Sequence, residues 1–421
     1  MTRGRRACSC LAAVSMCMAS SARAGVWGSD PVVGIIGDYA TNPALLELPH
    51  TAEANGALLL DAPTAYNGDG VGFYVIPSFR LSSSEGYASL ASDYEHLTLK
   101  GELDAERNTL TATASIFQDS SLYQDLQSNG SGLLFNGSTG VKRDTLMADL
   151  NWDRNLTERL EFNTDINSMQ VKYGQAAAGV GTLTDYRDTN IAPTLSWLSS
   201  ERNKWTLSAS VGRYNSFDET FESSESRSAN LQVGFVRTLN EIWSLTASGG
   251  YSRALNRQNF DEEFLVLTPE GPAIEIVPIR EESAQNGTVF SADLNRKGER
   301  LSFDITVSRL LAPTGYAFLS EQNTIKVGGT YTYSDRWSFG AGAYYEQAKN
   351  PQLQGGLLTQ TPKSISANAS WRWTEFWTVT FAASHVTELL EYPPGSKPPS
   401  LSVASTEVSI KISRQFNHIK F

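Results

Sequence analysis

Runs in which every second residue is apolar recur along most of this chain. Between Ser364 and Thr374, Ile365, Ala367, Ala369, Trp371 and Trp373 alternate with Ser366, Asn368, Ser370 and Arg372. Trp337, Phe339, Ala341, Ala343 and Tyr345 stand against Ser338, Gly340, Gly342 and Glu346, and Leu301, Phe303, Ile305 and Val307 against Ser302, Asp304, Thr306 and Ser308. Weaker copies are Leu97, Leu99 and Leu103, Trp205 to Val211, and Trp243 to Ala247. Successive side chains of a strand point to opposite faces, so this period of two predicts strands with one apolar and one polar side. Counted from turn to turn, strands begin near residues 55, 71, 86 and 94 and continue to 403. That count gives eighteen, with sixteen as the fallback because alternation is poor over 55–93.

A soluble sandwich would alternate too, but it has no reason to gather its tryptophans at one end. Eight of the nine (Trp152, Trp197, Trp205, Trp243, Trp337, Trp371, Trp373 and Trp377) lie within a few residues of a tight polar turn. Such a collar is expected where a membrane barrel meets water. The opposite strand ends carry long polar stretches, Asp119–Thr139, Asn215–Glu225, Asn256–Ser283 and Glu391–Leu401. Short turns on one side and long loops on the other are the asymmetry of outer-membrane barrels. The expectation is therefore an all-β fold. It is a single transmembrane antiparallel β-barrel in the bacterial outer membrane, with periplasmic turns, external loops, and outer-membrane lipid and the outer-membrane assembly machinery as partners.

The start of the chain is different. Arg3, Arg5 and Arg6 precede a short apolar stretch, and Ala22-Arg23-Ala24 completes a secretory cleavage pattern. Residues 1–24 read as a signal peptide, 25–54 as a periplasmic N-terminal arm and 55–421 as the barrel. Cys8, Cys10 and Cys17 all fall within the leader, so the mature chain has no thiol for disulfides or metal. Loss of four arginines and no acids takes the net charge from −11 to −15, which argues against nucleic acid as a partner. The mature chain contains no apolar window long enough for a membrane helix. Its last residue is Phe421, yet Val408, Ile410, Ile412 and Phe416 share one parity while Ile419 and Phe421 sit on the other. Either the final strand bulges or it ends near Phe416.

Candidate chemistry is sparse. His50, His96, His385 and His418 are scattered, and no nucleophile elbow, zinc helix or phosphate loop is present. His385, near Ser384 and Glu388, is the single histidine placed for a rim hydrolase, and the set is unconvincing. No catalytic activity, cofactor or metal is expected. What remains is the polar parity, which puts Lys100, Glu102, Asp104, Asp149, Glu161, Asp165, Asp293, Asp304, Lys326, Arg372 and Lys411 on the lumen side. A charge on the lipid face at mid-membrane would cost about 2–4 kcal/mol for Arg or Lys. The signs are mixed, with no basic ladder to mark an anion pore. Asn256–Ser283 holds two apolar runs, Phe264–Leu267 and Ile274–Val277, around Pro269 to Pro272. This pattern predicts a hairpin that either extends the wall outward or folds in as a constriction.

One echo is internal: Pro77 to Glu85 resembles Pro193 to Glu201, each running from proline into Ser-Ser-Glu. Proline cannot donate to a ladder, so both are expected at the outer end of a descending strand, with Ser-Ser-Glu at the inner turn. With Asn42-Pro43 and with Ser308-Arg309 followed by Pro313-Thr314-Gly315, these features resemble the outer-membrane β-barrel porin family associated with capsule and exopolysaccharide secretion loci. The resemblance implies a passive conduit in polysaccharide export, working with a separate periplasmic export partner. A small-solute porin and a structural or adhesive surface barrel are the alternatives.

Overall fold

The computed structural model describes residues 25–42, 52–82, 94–120, 142–174, 185–217, 223–268, 271–313, 319–349, 359–391 and 400–420. The signal peptide expected over 1–24 and the strand expected near 86 lie outside these residues. Strand segments alternate with turns at one end and longer connections at the other. The first group is β1 (Val26–Ser29), β2 (Val32–Ala40), β3 (Glu53–Asp61), β4 (Thr64–Gly68), β5 (Val71–Ser82), β6 (Tyr94–Ala105) and β7 (Asn108–Ser120). Next come β8 (Lys142–Asn155), β9 (Leu160–Tyr173), β10 (Asp185–Ser200), β11 (Asn203–Phe217), β12 (Ser223–Thr238), β13 (Trp243–Thr268) and β14 (Gly271–Lys297). The last are β15 (Leu301–Pro313), β16 (Leu319–Thr332), β17 (Trp337–Lys349), β18 (Thr359–Arg372), β19 (Trp377–Glu391), β20 (Ser400–Gln415) and β21 (Ile419–Lys420).

Three of the barrel strands are interrupted. β1 and β2 pair with β4 and β3 in one continuous register, broken only around Asp30-Pro31 and Ala62-Pro63. Each break contains a proline, which has no N–H to give to the ladder. β20 and β21 make the last strand, and β20 pairs with β2 while β21 pairs with β1. The sheet therefore closes on itself as an antiparallel barrel of 18 strands. Closure leaves no open edge through the barrel wall, which is what a sheet in hydrocarbon requires.

The first strand corrects the sequence reading of 25–54 as an arm. Val32–Ala40 is a full member of the wall, paired on both sides. Alternation fails there because the inward face is apolar at Ile36 as well as charged at Asp38. Ile36, Ala57 and Leu59 form a buried cluster inside the barrel with Tyr94 against it, while Ile35 and Leu58 point out. The count of eighteen thus comes from a different set, with 26–40 included and β5 directly followed by β6 in the wall. The direction of β5 also changes. It rises from the tight turn at Asp69-Gly70, where Gly70 has φ of 70° and an added Cβ would meet the Asp104 carbonyl at 2.8 Å. Pro77 therefore lies within an ascending strand rather than at the outer end of a descending one. Pro193 is also mid-strand, and the ladder to β11 runs from Ile191↔Val211 to Thr194↔Ser208 without it.

At the chain's end the parity conflict resolves as a bulge. β20 stops at Gln415, Phe416 N–H bonds the Pro31 carbonyl, and pairing resumes at Ile419 one residue out of step. The Asn256–Ser283 segment extends the wall. β13 and β14 pair without a break from Trp243↔Arg296 to Thr268↔Gly271. Above Asn259 they have no other described neighbour, so a two-stranded ribbon rises about 30 Å at roughly 3.4 Å per residue.

The seam region is also tied by side chains. Arg80 on β5 reaches over β3 to Asp38 on β2 at 2.9 Å, with both side chains buried (13% and 8% exposed). Removing one partner of such a pair strands the other charge, at a cost of about 3–5 kcal/mol. Arg80→Ala should therefore lower the midpoint of urea unfolding in lipid vesicles, and adding Asp38→Asn should recover part of the loss. An unchanged midpoint in the single variant would show that the pair does not hold the seam.

Candidate functional site

The strand register divides every side chain of the wall between two faces. One carries Ile35, Leu58, Ile116, Leu146, Ile191, Leu207, Val211, Leu231, Val233, Ile365, Phe381 and Ile410, all large, apolar and solvent-accessible in the isolated chain. In water that surface would be a severe liability; against lipid it is the required one. Lys100, Glu102, Asp104, Asp149, Glu161, Asp165, Asp293, Asp304, Lys326, Arg372 and Lys411 all fall on the opposite parity, as the cross-strand pairs running round the sheet show.

The eleven fall into three groups. The largest lies on β6–β9. Lys100 pairs with Glu102 at 3.3 Å, and Thr109 Oγ1 donates to Asp104 at 2.9 Å. Between β8 and β9, three successive cross-strand pairs join an aspartate to an asparagine: Asp149↔Asn167, Asn151↔Asp165 and Asp153↔Asn163. In each the asparagine amide donates to the carboxylate, at 2.6 Å in the Asn151–Asp165 and Asn163–Asp153 pairs. Glu161 continues the row and pairs with Lys204 of β11 at 2.7 Å. The second group is on β14–β16, where Asp293 and Lys326 flank Thr306 in one row and Thr306 donates to Asp293 at 2.6 Å. Arg372 and Lys411 form the third, near the seam.

The sequence reading passed over the Asn partners and Lys204, although each sits on the same polar parity. It also passed over the groups at the loop end of the inner face. Arg143 and Asp119 make a two-bond pair at 3.0 and 2.8 Å with only 2% of either side chain exposed. Gln360 donates to Glu388, and Tyr344 to Glu346. Tyr186, Tyr214, Val171 and Ala254 pack into one buried cluster. The fully buried large side chains, among them Arg143, Tyr186, Tyr214, Gln322, Glu346, Gln360 and Leu390, all belong to the loop end of the inner face. Nearer the tight turns, Lys204 and Glu161 remain 35% and 36% exposed, and Lys100 40%. Among the described residues, the inner wall is therefore more exposed toward the turn side than toward the loop end.

The tryptophans keep to the turn end. Trp197 and Trp205 are direct cross-strand partners, as are Trp337 and Trp371, whose rings stack at 5.8 Å. Trp373 extends the stack at 6.3 Å from Trp371, and Trp152 meets Phe162 edge-on at 5.9 Å. Arg296 lies over Trp243 and Arg414 over Trp377. Trp27, hidden in the supposed arm, joins this end against Tyr66 at 5.2 Å. His385 faces outward and shares a 2.8 Å hydrogen bond with Thr406, whereas Ser384 and Glu388 face in, so the three do not form a set.

A closed sheet with an apolar outside and a polar inside is built for a bilayer. The protein is an outer-membrane β-barrel. No family model matches the chain, and no curated protein matches it. Among solved structures it is similar to the ferric-catecholate import receptor Fiu from E. coli K12 (TM-score 0.46, 9% identity, 91% of this chain and 81% of that one). It is similar also to Pseudomonas aeruginosa OccK2 (OpdF) in complex with glucuronate (TM-score 0.44, 10% identity, 93% and 98%). A third is the FrpB iron transporter from Neisseria meningitidis (TM-score 0.44, 9% identity, 96% and 83%). These likenesses say nothing about cargo, and the resemblance to capsule-linked porins finds no support among them.

If the turn-end aromatics mark a membrane boundary, lipids brominated near the headgroup should quench tryptophan emission more strongly than lipids brominated near the chain end. Equal quenching by both would remove the boundary assignment.

Proposed function

We propose that the barrel is a passive channel for small polar solutes, with a preference for cations and its narrowest point toward the external loops. The burial gradient of the inner face carries this reading. An extended polysaccharide needs an open bore at every depth, and the large described side chains of the inner wall at the loop end are buried. A small solute needs a narrower passage at that end than a polymer does, and the turn-side half is already open to water.

The sign of the lumen follows from the Asp/Asn ladder. Each asparagine amide satisfies one carboxylate oxygen of its partner and adds no positive charge. Asp149, Asp153 and Asp165 thus stand together on adjacent strands; the rows of Asp153 and Asp165 lead across β7 to Asp104 and Glu102, and Lys100, which shares Asp149's row across Thr113, is paired with Glu102. Cation channels select with rings of aspartate and glutamate, and this ladder sets acids on two neighbouring strands of the wall. Lys100 and Lys204 are each matched to a glutamate and leave the aspartates uncompensated.

Reconstituted in a planar bilayer under a potassium chloride gradient, the channel should show a reversal potential on the cation side. Asp149→Asn with Asp165→Asn should move that potential toward zero and lower conductance a few-fold at low salt, where screening is weak. Absence of any conductance would remove the channel reading. Equal anion and cation permeability in the parent protein would remove the selectivity. Efficient passage of a long polysaccharide through the reconstituted barrel would favour the export conduit in its place.

A further inference from the structure

The outward face carries a second pattern above the apolar band. Arg187 on β10, Arg213 on β11, Arg227 on β12, Arg253 and Arg257 on β13 and Arg280 on β14 lie on five consecutive strands and share the outward parity. Arg213 and Arg227 are direct cross-strand partners, an arrangement that repels. Arg213 stands about ten residues above the tight turn at Asn203. At roughly 3.3 Å per residue and a strand tilt near 40° it lies about 25 Å up, the height of an outer-membrane apolar band. Lower on the same strands and the same face come Val211, Leu231, Tyr251 and Phe290, all large and exposed.

Among the described residues, Asp185 stands beside Arg187 on β10, and two further acids enter the patch, each of them shared. Glu225 bridges Arg213 at 3.0 Å and Arg227 at 2.9 Å; Glu282 bridges Arg257 at 3.1 Å and Arg280 at 2.8 Å. The arginine side chains stay open, Arg213 60%, Arg227 58% and Arg280 57% exposed. The patch therefore keeps a net positive charge on a chain that is acidic overall. Elsewhere at this height the outward residues are of mixed or opposite sign, including Glu95, Asp144, Glu321 and Lys363.

We infer that the outward arginine belt of β10–β14 binds the phosphate groups of outer-leaflet glycolipid. Guanidinium matches phosphate with two parallel donors, and because Arg213 and Arg227 both meet Glu225 through Nε, one carboxylate serves two cations and their terminal nitrogens are left to face an anion. The location selects the lipid as the source: the belt adjoins the apolar band, so a phosphorylated sugar headgroup sits at its level while its acyl chains lie on Leu231, Val211 and Phe290.

The test uses the full mature chain in detergent micelles, titrated with bis-phosphorylated lipid A and followed by native mass spectrometry. Arg213→Gln with Arg227→Gln should weaken binding at least about tenfold, while Lys349→Gln with Lys363→Gln on the far side should leave it unchanged. Lipid A stripped of both phosphates should bind as weakly as the double variant does. Heat-shifted migration on gels confirms that each variant is folded, and a variant that fails this check is replaced by Arg253→Gln with Arg257→Gln. Equal binding by the stripped lipid or by the belt variants overturns the inference. Displacement of lipid A by millimolar inorganic phosphate assigns the belt to free anions and overturns the lipid assignment. None of these readings depends on conductance, so the channel reading and this one fail separately.

Discussion

Hydrocarbon offers no hydrogen bonds, so every backbone N–H and C=O of this chain that crosses lipid must find its partner within the sheet. That single requirement dictates closure. Closure in turn forces the first strand to meet the last, β1 and β2 against β21 and β20. Period-two geometry does the rest, because a closed sheet has an inside and an outside and each residue is committed to one of them. Prolines are tolerated where the ladder is already broken, at Pro31 and Pro63, or where one side of the pairing lapses, as at Pro193.

The two faces solve opposite problems. Outside, apolar side chains meet lipid, with aromatics at the turn end and arginines beyond the far edge. Inside, charges have to be wet or paired. Near the turns they are wet, and acids such as Asp149 and Asp165 are held by amides that leave their charge intact. Toward the loops they lose water, and there the wall uses complete pairs such as Arg143 with Asp119. The change from solvated acids to sealed pairs along one strand, β8, is the physical difference between a wetted vestibule and a constriction.

The barrel was legible in the sequence wherever the lumen is polar, because there alternation is clean. Ser364 to Thr374 and Leu301 to Ser308 announce their faces residue by residue. The first strand was not legible because Ile35 and Ile36 are both apolar, one for lipid and one for the inner cluster with Leu59. Two unlike reasons for the same residue type erase the period. The eleven charged candidates could be assigned by parity alone, yet their partners could not. Which asparagine meets which aspartate depends on the register between β8 and β9, and a shift of one residue would turn Asn163 and Asn167 toward lipid. The arginine belt escaped for a related reason. Its members are spread over nearly a hundred residues and become neighbours only through strand pairing.

The seam carries one further consequence, for the order of assembly. Almost every pairing in the wall joins strands that follow one another, so most of the sheet can grow locally as hairpins. The pairing of Val32–Ala40 with Glu407–Gln415 joins segments at opposite ends of the chain. Its loop-closure entropy is the largest in the molecule, and nothing short of the complete sequence can satisfy it. Until Ser400–Gln415 is in place, the sheet keeps two unpaired edges. The bulge at Phe416 and the breaks at Pro31 and Pro63 make this the most irregular joint in the wall, so it is the natural point at which the ring both closes and first reopens.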